Sequence, residues 1–218
     1  MHFEFLIEDM SGKKFLDILL PKIIHPPHTF KVISYRGIGK IPTNLNAKGN
    51  PQARILLTQL PSLIRGYGKT YAGYGDSYDA CVFVLCDLDN KNLPDFRGQL
   101  DAVLDNCTIK PTTYFCIAVE EGEAWLLGDL NAIRKAYPSA KDSILDAYTN
   151  DSICGTWEVL ADAVYPGGAT ALKLKGWQAA GKEKSEWAEK ITPHMSVCPN
   201  SSPSFKYFMS KLMPLLGG

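Results

Sequence analysis

Residues 80–89 constrain this chain more than any other stretch. Six consecutive apolar residues, Cys81 to Cys86, run straight into Asp87, Leu88 and Asp89. A short apolar run rich in Val and Phe, bounded by polar residues, reads as a strand buried on both faces, as in a parallel sheet. Open parallel sheets carry their working residues just past the carboxyl ends of their strands. Two carboxylates one residue apart at such an end can point the same way and share a hard cation. A solvated strand end with Asp opening a turn is the plain alternative for an isolated motif.

The motif is not isolated. Residues 2–9 turn apolar and end in Glu8 and Asp9, and after Ser11 and Gly12 the apolar positions Phe15, Leu16, Leu19 and Leu20 have helical spacing. Ser11 reads as the N-cap of that helix, and Asp9 as a negative charge at its N-terminus. A third candidate strand over residues 112–119 runs into Glu120, Glu121 and Glu123. Three strands thus deliver carboxylates to one end of one sheet, and their repulsion calls for a cation or a proton.

The remaining elements alternate. Pro26 and Pro27 break the chain before a strand over residues 29–35; residues 36–40 (Arg-Gly-Ile-Gly-Lys) lack the spacing of a phosphate-cradling loop and read as a tight turn. A helix is expected over residues 52–67, then a Gly/Tyr-rich loop over 66–78, and a helix over 94–104. Shorter helices are expected at 124–127 and 130–136, with Pro138 as a stop. Strand and helix in alternation imply right-handed crossovers and a mainly parallel four-stranded α/β sheet with helices on both sides. Beyond residue 137 strand signals fade. Helical periodicity at 155–163, 187–191 and 205–212, with Ser202 or Ser204 as a cap for the last, divides the chain into an α/β sheet domain over 1–137 and a helical region over 138–218 packed on it.

Composition bounds the functions. The 218 residues include 23 basic and 23 acidic side chains, so formal net charge is zero and bulk electrostatics do not announce a nucleic-acid binder. No apolar run approaches the roughly 18 residues of a membrane span, and the N-terminus lacks a signal-peptide pattern. Six cysteines show no Cys-x-x-Cys pair and no zinc spacing with histidine; Cys81, Cys86 and Cys116 fall in expected core strands. A reduced, cytoplasmic protein is expected.

Glu at the first strand tip, Asp-x-Asp at a later one and further acids downstream resemble the TOPRIM domain of topoisomerases, primases and the overcoming-lysogenization-defect nucleases. The matching residues are Glu8, Asp87 and Asp89. Residues 121–129, 187–195 and 202–208 are more specifically similar to a TOPRIM-like family of bacterial phage-defence loci, often encoded beside an ATPase. TOPRIM domains often carry a glycine close to the first glutamate, and here Gly12 is four residues on. The resemblance implies an Mg²⁺- or Mn²⁺-dependent nuclease for DNA or RNA, the effector of an anti-phage system. Asp87 and Asp89 would hold a first ion, Glu8 would serve as ligand or general base, and Glu121 and Glu123, favoured over Glu120 by their alternation, would complete a second site. The alternative is an inactive TOPRIM-like sensor or scaffold for the ATPase.

Two other acidic parallel-sheet families fit less well. Phosphoacceptor receivers are shorter than the 79-position separation of Glu8 and Asp87 allows, and haloacid-dehalogenase-type phosphatases need Asp-x-Asp after the first strand. Lys13, Lys14, Lys40 and Lys91 are the candidates for transition-state charge and nucleic-acid contact, with a solvated surface as the plain alternative. The lysines at 173, 175, 182 and 184 form the densest basic stretch, again a solvated face unless it binds a phosphate backbone. His194 reads as a hydrogen-bonded structural histidine. The four tryptophans read as packing residues, although an exposed one can stack on a base.

Overall fold

A computed structural model describes residues 1–46, 50–152 and 154–217. Four strands, β1 (His2–Ile7), β2 (Thr29–Ser34), β3 (Ala80–Asp87) and β4 (Thr113–Ala118), form one sheet in the order β2-β1-β3-β4. Every pairing is parallel. The expected α/β class and all four strands are present.

The strands read as continuously apolar because both faces are covered. Phe3, Phe5, Phe83, Leu85 and Cys116 face one apolar cluster, while Leu6, Val82, Val84, Cys86 and Ile117 face another. Cys81, Cys86 and Cys116 lie in the core as expected. The second cluster is closed by α2 (Leu56–Gly73) and α3 (Leu93–Asp105), through Leu60, Ile64, Phe96 and Leu100.

The first cluster is closed by α1 (Met10–Leu19) and by everything after β4: α4 (Glu123–Leu127), α5 (Leu130–Ala136), α6 (Asp142–Leu145), α7 (Thr156–Val164), α8 (Gly168–Leu174), α9 (Trp177–Ile191) and α10 (Pro203–Leu212). Helix α9 lies along α1, and α10 lies against β4. The Phe208 ring stands edge-on to Phe5 and Phe83, with centroids 6.3 and 5.9 Å apart, and stacks on Trp125 at 5.3 Å. Residues after 137 therefore form a helical layer that shares one core with the sheet.

Several local expectations change. Asp9, not Ser11, caps α1: its carboxylate accepts the Gly12 N–H at 2.7 Å, and the Ser11 hydroxyl donates to the same carboxylate. A carboxylate takes the helix N-terminal charge better than a hydroxyl does. Ser202 caps α10, accepting from Phe205 N–H at 3.2 Å. Residues 36–40 are not a tight turn but an irregular connection, bent at Arg36 and with positive φ at Gly37 and Gly39. Gly37 donates to the Glu8 carbonyl at 2.8 Å, and Leu57 donates to the Ile38 carbonyl at 2.8 Å. The expected loop over 66–78 is helical as far as Gly73, and Gly68 serves a close approach, lying where α2 meets the chain ahead of β4. A Cβ there would come within 2.1 Å of the Ile109 carbonyl oxygen.

Candidate functional site

The carboxyl ends of β1, β3 and β4 lie side by side, and register sets their acids. Ile7 pairs with Leu85, and Asp87 with Ala118, so Glu8 leaves β1 level with the tip of β3. A Glu8 carboxylate oxygen accepts the Asp87 backbone N–H at 3.1 Å. The ladder continues past the strands: Leu88 N–H donates to the Ala118 carbonyl at 2.9 Å, and Asp89 N–H to the Glu120 carbonyl at 2.8 Å. Asp89 and Glu120 both adopt left-handed backbone, with φ of 50° and 63°. Such conformations are uncommon away from glycine and cluster at functional sites.

Behind these tips lies a cavity of about 50 Å³, several times the space one water needs. Glu8, Asp9, Asp87 and Glu123 supply its charge, and Phe15 and Trp125 are among its apolar walls. Gly12 keeps α1 tight against β1 here, since a Cβ would meet the Ile7 side chain at 2.4 Å.

The apolar walls set the electrostatics. Burial pushes Glu8 up from 4.5 to about 7; the hydrogen bond from Asp87 pulls it down, while Asp9 and Asp89 push it further up. Burial also holds Asp87 well above the carboxylate range, reinforced by the charges of Glu8, Asp9 and Glu123 and opposed by Lys184. Neither acid has an ammonium or guanidinium partner within ion-pair distance among the described residues. They form a half-buried, desolvated carboxylate pair without an ion-pair partner.

The other acids have partners of their own. Asp89 pairs with Lys91, whose ammonium also lies 5.2 Å from the centre of the Phe96 ring. Asp89 does not line the cavity and acts on Glu8 only through its charge. Glu120 turns away to the start of α7, accepting the N–H groups of Cys154, Gly155 and Thr156 at 3.2, 2.8 and 2.8 Å together with the Thr156 hydroxyl. Burial works to raise Glu120, but these bonds outweigh it and hold the carboxyl below its ordinary value. Glu121 and Glu123 share one lysine: Lys184 Nζ stands 3.1 Å from a Glu121 carboxylate oxygen and 3.2 Å from one of Glu123.

The two ends of that contact pull in opposite directions. Burial pushes Glu121 up to about 7 despite Lys184, whereas Glu123 and Glu121 outweigh the burial of Lys184 and raise it. An ammonium facing two carboxylates in contact distance stays charged, so the geometry favours the ionised form of Lys184.

Lys184 is the residue that the sequence hides. It belongs to the basic stretch expected to be a solvated face, and three of its members fit that expectation. Lys173 pairs with Glu158 at 3.1 Å, Lys175 donates to the Tyr165 hydroxyl at 2.6 Å, and Lys182 is exposed. On α9, however, Lys184 falls in the stripe of Ala180, Trp187, Ala188 and Ile191, the buried face of that helix. A lysine in an apolar stripe at helical spacing requires a buried partner, and that was the available signal.

Lys13, Lys14 and Lys40 lie elsewhere. Lys13 pairs with Asp17 one turn on at 2.6 Å, Lys14 with Glu189 of α9 at 2.7 Å, and Lys40 is exposed. His194 is exposed on a turn after α9 rather than buried in a structural hydrogen bond. Trp125, Trp157 and Trp187 are core residues, while Trp177 is 84% exposed at the start of α9.

Among the described residues no group of three or more His, Cys, Asp or Glu side chains converges as a metal cage. The donor set still suits one hard cation. Mg²⁺ keeps most of its waters and is commonly held by only one or two carboxylates plus substrate phosphate, and Glu8 with Asp87 offers that pair beside room for water. No family model, no curated protein and no solved structure matches the chain, so its reading rests on this geometry. No helix among the described residues is long and apolar enough to cross a membrane.

Proposed function

We propose that this chain is a TOPRIM-like, Mg²⁺- or Mn²⁺-dependent nuclease that hydrolyses phosphodiester bonds of DNA or RNA. In this proposal it is a cytoplasmic effector of a bacterial anti-phage system and works with an ATPase encoded nearby. One observation carries the reading. Glu8, just past β1, and Asp87, at the tip of β3, are half-buried side by side without an ion-pair partner, and desolvation together with the charges of neighbouring acids lifts both above the carboxylate range. A site so built holds a proton when empty and gains most from a divalent cation.

Glu8 and Asp87 are the residues that would hold the ion. It would supply an activated water and charge neutralisation at the scissile phosphate. Once ionised, Glu8 can also orient or deprotonate that water, its place fixed by the Asp87 N–H. The apolar walls keep the local dielectric low, which strengthens each of these interactions.

The test is incubation of the purified chain with DNA and RNA and Mg²⁺ or Mn²⁺, with and without its neighbouring ATPase. Glu8→Ala and Asp87→Ala should each lower metal-dependent cleavage on the order of a thousandfold, since metal charge stabilisation is worth several kcal/mol. Cleavage unchanged in both variants would defeat the assignment.

The non-enzymatic reading has its own support: Lys184 already neutralises Glu121 and Glu123, and no three-ligand cage is formed among the described residues. It requires no cleavage at all, and ATPase binding that survives both substitutions.

A further inference from the structure

Lys184 sits where a two-ion reading of the sequence expects metal. Its ammonium bridges Glu121 and Glu123 at 3.1 and 3.2 Å, and its side chain is only 19% exposed. The rest of its helix face is apolar, and Glu123 itself is buried. The same charge acts on Asp87 in the cavity beyond. Four of the acids at this end of the sheet therefore form two pairs: Glu121 and Glu123 with a tethered cation, Glu8 and Asp87 with none.

Resting on the nuclease reading above, we infer that Lys184 is a built-in substitute for the second divalent ion, which makes the site a one-metal centre. In two-metal sites the ions stand about 3.5–4 Å apart, with shared carboxylates between them. An ammonium held by both carboxylates of one pair claims the same oxygens as an ion and adds like charge against it. A divalent ion at Glu121 and Glu123 must displace the Lys184 ammonium from both carboxylates, a cost that one at Glu8 and Asp87 does not meet. Lys184 is a positioning residue here: it fixes one positive charge beside the cavity in a place where metal could otherwise exchange.

The number of bound ions tests this without reference to activity. Mn²⁺ is titrated into the full chain, with free ion read by electron paramagnetic resonance and bound ion by calorimetry. The wild type should bind one ion, Lys184→Gln two, and Lys184→Arg one, with folding of each variant checked by circular dichroism. A wild type that binds two ions with comparable affinity overturns the inference by itself, whether or not the variants fold. A folded Lys184→Gln that gains no ion also overturns it. The metal reading of Glu8 and Asp87 is scored separately by Asp87→Ala in the same titration, which should lose the wild-type ion. A wild type that binds no ion removes that reading, yet a single ion gained by Lys184→Gln would still support the substitution.

Discussion

At the scale of the residue, the rise of Glu8 from 4.5 to about 7 makes stability depend on pH in a defined direction. Between those two values the folded chain holds a proton that the unfolded chain has released, so stability falls as pH rises through that window. Asp87 acts in the same sense. Every tenfold gain in proton affinity on folding corresponds to about 1.4 kcal/mol. Denaturant midpoints should therefore be higher at pH 5 than at pH 8 in metal-free buffer, and Glu8→Gln, which copies the protonated acid, should flatten the difference. Saturating Mg²⁺ should restore stability at pH 8, with the ion in place of the proton. A midpoint that rises with pH would contradict the burial of this pair.

At the scale of the element, α2 shows why its glycines are not a loop. Two glycines of one helix should answer substitution with opposite signs. At Gly66 an added Cβ meets nothing within 4 Å, whereas at Gly68 it lies 2.1 Å from the Ile109 carbonyl oxygen, which is backbone and cannot swing aside. Gly66→Ala should stabilise by roughly 0.5–1 kcal/mol, the helix propensity difference. Gly68→Ala gains the same propensity but must part α2 from the segment before β4, and should destabilise by about 1–3 kcal/mol. Thermal unfolding of the two variants compares them directly, and equal shifts would show that α2 does not pack as described.

For the whole molecule, the question is whether the sheet stands without the helices that follow it. Phe208 of α10 closes over Phe5 and Phe83, and Trp125 donates its indole N–H to Ser204 at 2.9 Å. Phe208→Ala should cost about 3–5 kcal/mol, the usual range for a buried aromatic. A chain ending at residue 137 loses α6 to α10, and with them much of the cover over one face of the sheet and Lys184. It should not fold cooperatively, as read by calorimetry. Zero net charge adds a prediction at the same scale: little long-range attraction to a polyanion. Single-turnover cleavage near physiological salt should be low for the chain alone and rise when the ATPase is added; full activity alone would refute that partnership.

The sequence alone determined the four strands and the helices between them, the doubly covered sheet and the delivery of acids to its carboxyl end, but not α6, α8 or the first half of α9. Those signals are local: apolar runs, helical periodicity and the residue that follows each run are all read within a few positions. Tertiary structure alone decided which acids meet. Glu8 reaches Asp87 across 79 positions, Glu121 reaches Lys184 across 63, and Glu120 is drawn off by Thr156 across 36. Charge pairing depends on distance in space and on burial, and neither is written in spacing along the chain. That is why Asp89 and Glu120, equal to their neighbours as letters, stand outside the cavity, and why a lysine expected in water became the cation beside it.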